Sequence, residues 1–311
     1  MIKQKDISVI IPVFNNPTGI KRCILSLKRQ SYFPASFEIL IVDNGSTDAT
    51  RKSICNTISS IQTGQEVEGR ETSKIRLLNE DRIRSPYAAR NRALEQARGE
   101  IIAFTDSDCE PEPDWLERGS DRLSEGSADL VAGEVQFSYS GRQTAAERYD
   151  SLINLEMRHN VETRGVAKTG NLFVRKEVFD RIGPFREDVR SGGDVEWTGR
   201  ATNTGFRIIY DEDVIVKKQA RKLGPLLKKL YRVGKGQPAI WKEQEGVTGM
   251  KALGRILYDL RPATPRFIRN QIKFRGHKNV PNSMISLMGV AWLCRLANGA
   301  GRVHGLFRFT R

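Results

Sequence analysis

Histidine is almost absent from this chain: three residues in 311, His159, His277 and His304, none of them inside a motif. A histidine-based metal centre or catalytic cluster is therefore not part of the reading. Cysteine is nearly as scarce. Cys23, Cys55, Cys109 and Cys294 are scattered without Cys-x-x-Cys spacing, which argues against a zinc site or disulfide framework and for reduced thiols in the cytoplasm. No run approaches the ~20 apolar residues of a membrane-spanning helix; the nearest, residues 284–296, is interrupted by Arg295. Residues 1–6 lead straight into a strand-like segment, without the apolar region and small-residue cleavage site of a secretory signal.

Acidic residues all but vanish from the last third. Residues 217–311 carry 21 Lys and Arg against three acids (Glu243, Glu245 and Asp259), a balance of +18, while residues 1–216 balance at −4. The net charge of +14 thus comes entirely from the tail. Such asymmetry describes a near-neutral globular part followed by a basic part facing polyanions, either nucleic acid or anionic lipid headgroups. No nucleic-acid recognition motif accompanies the charge, which leaves the lipid surface as the partner. With 39% hydrophobic and 28% charged residues the chain folds, and its length suffices for one large domain or two smaller ones.

The first 110 residues alternate strand and helix patterns. Apolar runs at 8–13, 37–42, 74–78 and 100–105 read as buried strands, with helices over 17–30, 48–58 and 88–97. This alternation implies right-handed βαβ units and a parallel sheet, on which ligands bind outside the carboxyl ends of the strands. Three polar clusters fall on that rim: Phe14-Asn15-Asn16, residues 43–48 and Asp106-Ser107-Asp108. Residues 60–73, rich in Gly, Glu, Ser and Thr, read as an exposed insertion. Beyond Pro113 the pattern is mixed, with helices at 113–124, 143–157, 176–182 and 195–204 and strands at 129–137, 171–175 and 206–217. From Leu223 the tail reads as basic amphipathic helices broken at Gly236, Gly246, Pro262 and Pro281.

Asp106 and Asp108 carry the strongest chemical signal. Side chains two apart in an extended segment point the same way, so both carboxylates can converge on one ligand. A nucleoside diphosphate would be repelled by such a pair unless a hard cation intervenes. Mg²⁺ or Mn²⁺ suits this role, filling most of its shell with phosphate oxygens and water. An isolated Asp-x-Asp is common by chance; its place after an apolar strand on the ligand rim gives this one its meaning. In the cluster at 43–48, Gly45 permits an unusual turn and Ser46 or Thr47 can cap the following helix. Asp43, at the strand end, is placed to accept a hydrogen bond from an imide N–H of a base.

In order and spacing, Ser8-Val-Ile-Ile-Pro-Val-Phe-Asn15, Ile41-Val-Asp-Asn-Gly-Ser-Thr-Asp48, Ala89-Arg-Asn91 leading to Ala97-Arg-Gly99, and Phe104-Thr-Asp-Ser-Asp-Cys109 together resemble the inverting glycosyltransferase family 2 over residues 7–116. The resemblance implies the GT-A fold, an α/β architecture with a mostly parallel, Rossmann-like sheet flanked by helices. The chain then divides into a catalytic domain over 1–220, with a donor half of about 1–116 and an acceptor half of about 117–220, and a basic helical region over 221–311. Carried over by position, the family's roles imply that Pro12, Phe14 and Asn15 line the donor pocket, Asp43 contacts the base and Arg90 lies near the nucleotide. Asp106 would face the ribose and Asp108 would bind metal and diphosphate.

Two later segments extend the likeness. Thr169-Gly-Asn-Leu-Phe-Val-Arg175 is similar to the family's stretch beside the acceptor side of the sugar, and Gly192-Gly-Asp-Val-Glu-Trp197 to its acidic catalytic motif. Inverting transfer needs a base to take the proton of the attacking hydroxyl; Asp194 is the first candidate and Glu196 the second. A plainer reading has Asp194 capping the helix that follows. The chain departs from the family twice: Gly193 stands where Glu is common, and Lys218 lies nearest the position of a histidine that helps hold metal or diphosphate. A protonated lysine cannot ligate metal but can pair directly with phosphate. The Gln-x-x-Arg-Trp motif of processive synthases is missing, since Gln237-Pro-Ala-Ile-Trp241 lacks the arginine, which favours transfer of a single sugar.

In the tail, residues 226–233 alternate apolar and basic side chains at helical spacing, and Trp292 within 284–296 suits a headgroup interface. These features place the protein in the cytoplasm, peripheral on the inner face of the cell membrane, with a lipid-linked or glycan acceptor; the alternative is that the helices simply pack on the catalytic domain. UDP is favoured as the donor nucleotide, with GDP next. Two competing functions are a sugar nucleotidyltransferase, which the missing glycine-rich triphosphate loop after the first strand argues against, and a non-catalytic membrane-associated scaffold, motivated by Gly193 and the missing histidine.

Overall fold

The computed structural model describes residues 6–66, 73–139, 141–154, 156–189, 191–245, 249–274 and 283–308. The expected breaks at Gly246 and Pro281, and His277, lie outside them. The chain forms two compact units: Met1–Gln136 with Leu155–Lys218, and Phe137–Asn154 with Gln219–Arg311.

The first unit begins with four parallel strands, β1 (Ile7–Val13), β2 (Phe37–Asp43), β3 (Lys74–Asn79) and β4 (Ile101–Thr105), in the spatial order β3-β2-β1-β4. Strands β2 and β4 are buried throughout, and β1 nearly so, which is why they read as continuous apolar runs rather than alternating ones. The chain steps outward from β1 to β3 and then returns to the other side of β1 for β4. That reversal opens a crevice at the carboxyl ends of β1 and β4. Helices α1 (Pro17–Leu27) and α3 (Pro86–Leu94) start there, each with proline in its first turn and a polar cap before it. The Asn16 side chain accepts from the Gly19 amide at 3.1 Å, and Ser85 Oγ from the Tyr87 amide at 3.3 Å.

Helix α2 (Thr50–Glu66) runs well into the stretch expected to be an insertion. Hydroxyl-rich composition misled the reading. Thr57, Ser60 and Thr63 turn their hydroxyls back onto carbonyls three or four residues earlier, which lets them sit inside a helix. Residues 67–72 lie outside the described residues.

The sheet continues in mixed sense through β5 (Cys109–Pro111), β6 (Leu130–Ser138), β7 (Asn171–Arg175) and β8 (Ile208–Gln219), completing the order β3-β2-β1-β4-β7-β6-β8-β5. Its parallel character resides in the first four strands; β4–β7, β6–β7 and β5–β8 are antiparallel. Helix α4 (Trp115–Ser124) follows β5. The helix expected over 143–157 is α5 (Ala145–Ile153), which belongs to the second unit and stops where Asn154 takes an extended backbone; a helix not expected, α6 (Met157–Arg164), follows. Helices α7 (Lys176–Ile182) and α8 (Gly193–Asn203) complete the first unit. An aromatic cluster ties these parts together: Trp197 of α8 stacks on Phe179 of α7 at 4.2 Å, and Phe185 packs against Phe104 of β4 at 5.6 Å and Tyr87 of α3 at 6.0 Å. Edge-to-face and offset contacts of this kind add to simple burial and fix the start of α8 relative to α3.

The second unit is helical: α5 with α9 (Leu223–Glu245), α10 (Gly249–Asp259), α11 (Pro265–Phe274) and α12 (Met284–Arg308). Tyr149 of α5, Leu226 of α9, Ile268 of α11 and Leu287 and Ala291 of α12 form its core. Gly236 does not break α9, which also runs through Pro238. The glycines of this pair serve close packing instead. A Cβ on Gly234 would meet the Asn298 carbonyl oxygen at 2.1 Å, and one on Gly301 the Tyr231 carbonyl oxygen at the same distance. Among the described residues, no helix is long and apolar enough to cross a membrane.

Candidate active site

Two loops close the crevice on the β1 and β2 side. Asn15 holds a left-handed backbone, φ 48°, and its side chain accepts from the Thr47 amide at 2.8 Å while its own amide donates to Ser46 Oγ at 3.0 Å. Asparagine tolerates that conformation better than most side chains. Ser46 and Thr47 are therefore spent on joining the loops. The start of α2 is held instead by Asp48, whose carboxylate accepts from the Thr50 amide at 2.9 Å. Gly45 has φ 75°, as its turn required. Asp43 is buried, and its carboxylate accepts from the Ser46 amide at 3.0 Å. Phe14 stands exposed beyond β1, with the Arg84 guanidinium 6.0 Å from its ring. Pro12 is partly buried within β1.

Asn16 links this rim to the acidic run, donating to Ser107 Oγ at 3.1 Å. Asp106 and Asp108 face two cations. Arg90 of α3, buried, donates to Asp106 Oδ1 at 3.0 Å, and Lys218 of β8 donates to Asp106 Oδ2 at 3.2 Å and Asp108 Oδ1 at 2.5 Å. Lys218 is 3% exposed, whereas the two carboxylate side chains are about one-third exposed. The lysine reaches them because β5 and β8 pair with Cys109 opposite Lys218.

Asp106, Asp108 and Cys109 form the one group among the described residues whose ligand atoms converge closely enough for a metal ion, all within 4.8 Å of one another. The donor chemistry selects within it. Burial pushes the Cys109 thiol up to about 12, with Asp108 and Asp106 adding to the rise and Lys218 opposing it; it stays a neutral thiol, a poor ligand for a hard ion. The carboxylates suit Mg²⁺ or Mn²⁺. Lys218 already bonds to both of them.

Asp194 sits in the first turn of α8. It is not the cap of that helix: Gly192, with φ 83°, is, and it offers no side chain. The Asp194 carboxylate accepts from the Tyr87 hydroxyl at 3.2 Å and from the Val195 amide at 3.0 Å. Burial, with the Asp194 charge next, pushes Tyr87 well above the ordinary phenol range, so it acts as a neutral donor. Gly193 now has a physical reason. A Cβ there would lie 2.9 Å from both the Tyr87 ring and Val189, so the glutamate common at this position has no room. Glu196 is two residues on, roughly 200° around the helix. It pairs with Arg200 at 2.9 Å, which also donates to the Ile182 and Pro184 carbonyls, so Glu196 braces α8.

Tyr87 escaped the reading of the sequence, and it joins the two ends of the site. Tyr87 and Arg90 are three apart on α3 and so share a face; one holds Asp194 and the other Asp106. The approach to α8 is strapped to the same helix and its cap, by Ser85 donating to the Val189 carbonyl at 2.8 Å and Asn91 exchanging bonds with the Phe185 backbone at 2.8 and 3.0 Å. Asn171, from the segment likened to the acceptor side, is fully buried and structural. It donates to the Glu134 and Val214 carbonyls and accepts from the Trp115 indole, each at 2.8 Å. A separate cleft of about 540 Å³, lined by Arg118, Arg122, Arg158 and surrounding acids, contains none of the candidate residues.

The sheet order, its flanking helices and the crevice at the carboxyl ends of β1 and β4 have the GT-A architecture of glycosyltransferases. The chain belongs to glycosyl transferase family 2, whose model matches residues 8–186. It is 41% identical to the glycosyltransferase AglE of Haloferax volcanii over 97% of this chain and 96% of that protein. A pre-mycofactocin glycosyltransferase of Mycobacterium tuberculosis is 27% identical over 70% of the chain, which spans 43% of that longer protein. Among solved structures, the fold is shared with the mannosyltransferase PcManGT of Pyrobaculum calidifontis in complex with GDP-Man and Mn²⁺ (TM-score 0.61, 19% identity, 99% of this chain and 88% of that one). It is shared also with TarS 1-349 of S. aureus in complex with UDP (TM-score 0.51, 19% identity, 98% and 92%).

Proposed function

We propose that this glycosyltransferase moves a single sugar, with inversion, from a nucleoside-diphosphate sugar to a hydroxyl of a lipid-linked or glycan acceptor, UDP being the favoured nucleotide and GDP the next. The observation that carries this reading is α3, which presents Arg90 to the carboxylate pair and Tyr87 to Asp194 from one face. The donor lies along the carboxyl ends of β1, β2 and β4. Pro12, Phe14 and Asn15 flank the nucleotide, and Asp43 faces the base. Asp106 orients toward the ribose, and Arg90 fixes its carboxylate. Asp108, with Asp106, would hold Mg²⁺ or Mn²⁺, which supplies positive charge to the departing diphosphate. Asp194 takes the proton of the acceptor hydroxyl as that oxygen attacks the anomeric carbon, and the neutral Tyr87 hydroxyl keeps the carboxylate oriented for it.

The second unit supports a place on the inner face of the cell membrane. Helix α10 exposes Met250, Leu253, Leu257 and Tyr258 beside Lys251 and Arg255, an apolar stripe with basic flanks that fits an anionic lipid surface. Part of the basic tail is internal packing: Leu226 is fully buried, and the Trp292 indole donates to the Leu260 carbonyl at 3.1 Å.

A panel of UDP- and GDP-sugars with Mg²⁺ or Mn²⁺, read as released nucleoside diphosphate, tests the reading. Metal-stimulated release from at least one donor is expected. Absence of both release and binding across the panel would favour the non-catalytic scaffold. Flotation with anionic vesicles tests the surface, where M250E/L257E should lose co-flotation and unchanged flotation would sink that part.

A further inference from the structure

The carboxylate pair in this protein is not charge-bare. Lys218 Nζ is within hydrogen-bond reach of both carboxylates and 3.7 Å from Cys109 Sγ, so it touches every member of the group that could receive a metal ion. Arg90 takes the other carboxylate oxygen of Asp106, Oδ1. Two acids thus face two cations whose side chains are each 4% exposed, and the formal charge of the four together is zero. A divalent ion entering that ground meets two fixed positive charges in a weakly screened setting. A diphosphate meets a carboxylate pair already neutralised by two cations, one of them on a strand rather than on a loop.

We propose that Lys218 is a resident counter-cation that competes with the divalent ion for Asp106 and Asp108 and binds the donor diphosphate directly. On this view diphosphate binding has a component that needs no metal, and the metal adds to it instead of enabling it. This deepens the glycosyltransferase reading and rests on it for the identity of the diphosphate. The competition with metal rests on geometry alone. The register that sets Lys218 opposite Cys109 places the ammonium beside the acidic cluster.

The test has two arms on the full chain. In the first, Mn²⁺ alone is titrated into wild type, K218M and K218Q and followed by electron paramagnetic resonance. Both variants should bind Mn²⁺ more tightly than wild type, by about tenfold or more, once the competing charge is gone. Equal Mn²⁺ affinity in all three overturns the proposal. In the second, UDP and GDP are titrated by calorimetry in EDTA and in excess Mn²⁺. Wild type should keep its affinity in EDTA to within about tenfold, whereas K218M should lose about tenfold or more in EDTA and regain most of it with Mn²⁺. EDTA binding unchanged in K218M, or abolished in wild type, overturns the proposal. If wild type binds neither nucleotide with or without Mn²⁺, the glycosyl-transfer reading fails, and the Mn²⁺ arm still decides the lysine. K218Q, which keeps a polar side chain without the charge, serves if K218M does not fold, as judged by its thermal transition.

Discussion

The two acidic stations of the first unit are built in opposite ways. Asp106 and Asp108 lie against Arg90 and Lys218, both buried, whereas the Asp194 carboxylate accepts from the hydroxyl of Tyr87. The first station is tied by charge to cations that the fold fixes, and the second is oriented by a single neutral hydroxyl. Helix α3 serves both.

The sharpest way to break this contrast is Asp194→Asn. Turnover should fall by about 10²–10⁴-fold, while UDP or GDP affinity stays within about threefold. Normal turnover would move the base elsewhere, and tight coupling of affinity to the substitution would erase the division of labour. Asp108→Ala attacks the other station. Metal-stimulated nucleotide binding should drop by about 10- to 100-fold, from loss of a carboxylate that a hard ion needs, and calorimetry with and without Mn²⁺ reads it. Tyr87→Phe removes only the hydroxyl. A loss of about tenfold in turnover is expected, of the size of one hydrogen bond to a charged group, with nucleotide affinity unchanged; a loss in affinity instead would assign Tyr87 to the donor side. Gly193→Ala should have the smallest effect. Its Cβ must displace the Tyr87 ring or Val189, an overpacking that costs about 1–3 kcal/mol in stability. A modest fall in Tm with weakened turnover would confirm the crowding, whereas an unshifted Tm would show that the ring yields freely.

Most of the donor half was legible in the sequence because its information is local. Each strand is an apolar run, and each polar cluster follows one directly, so chain order alone puts Phe14, Asn15, Asp43 and Asp106 on one rim. Lys218 was also reachable, because it lies nearest the position at which the resembling family carries a histidine. Tyr87 was not. Its contact with Asp194 spans 107 residues, and a tyrosine near the start of a helix carries no local mark of what it will meet. Short or compensated elements were hidden for similar reasons. Strand β5 has three residues and exists only through its pairing with β8. Gly236 looked like a break, but α9 is secured by contacts across the unit, and tertiary packing overrides the modest helix cost of one glycine.

Helix α3 also sets the site's tolerance of change. With 3.6 residues per turn, shifting its register by one residue turns every side chain by about 100°. Tyr87 and Arg90 would swing away together, and both stations would lose their anchor in a single event. Substitutions along α3 are local injuries, but an insertion or deletion between Ser85 and Arg90 would dismantle the whole site. The six residues from Ser85 to Arg90 therefore tolerate no change in length.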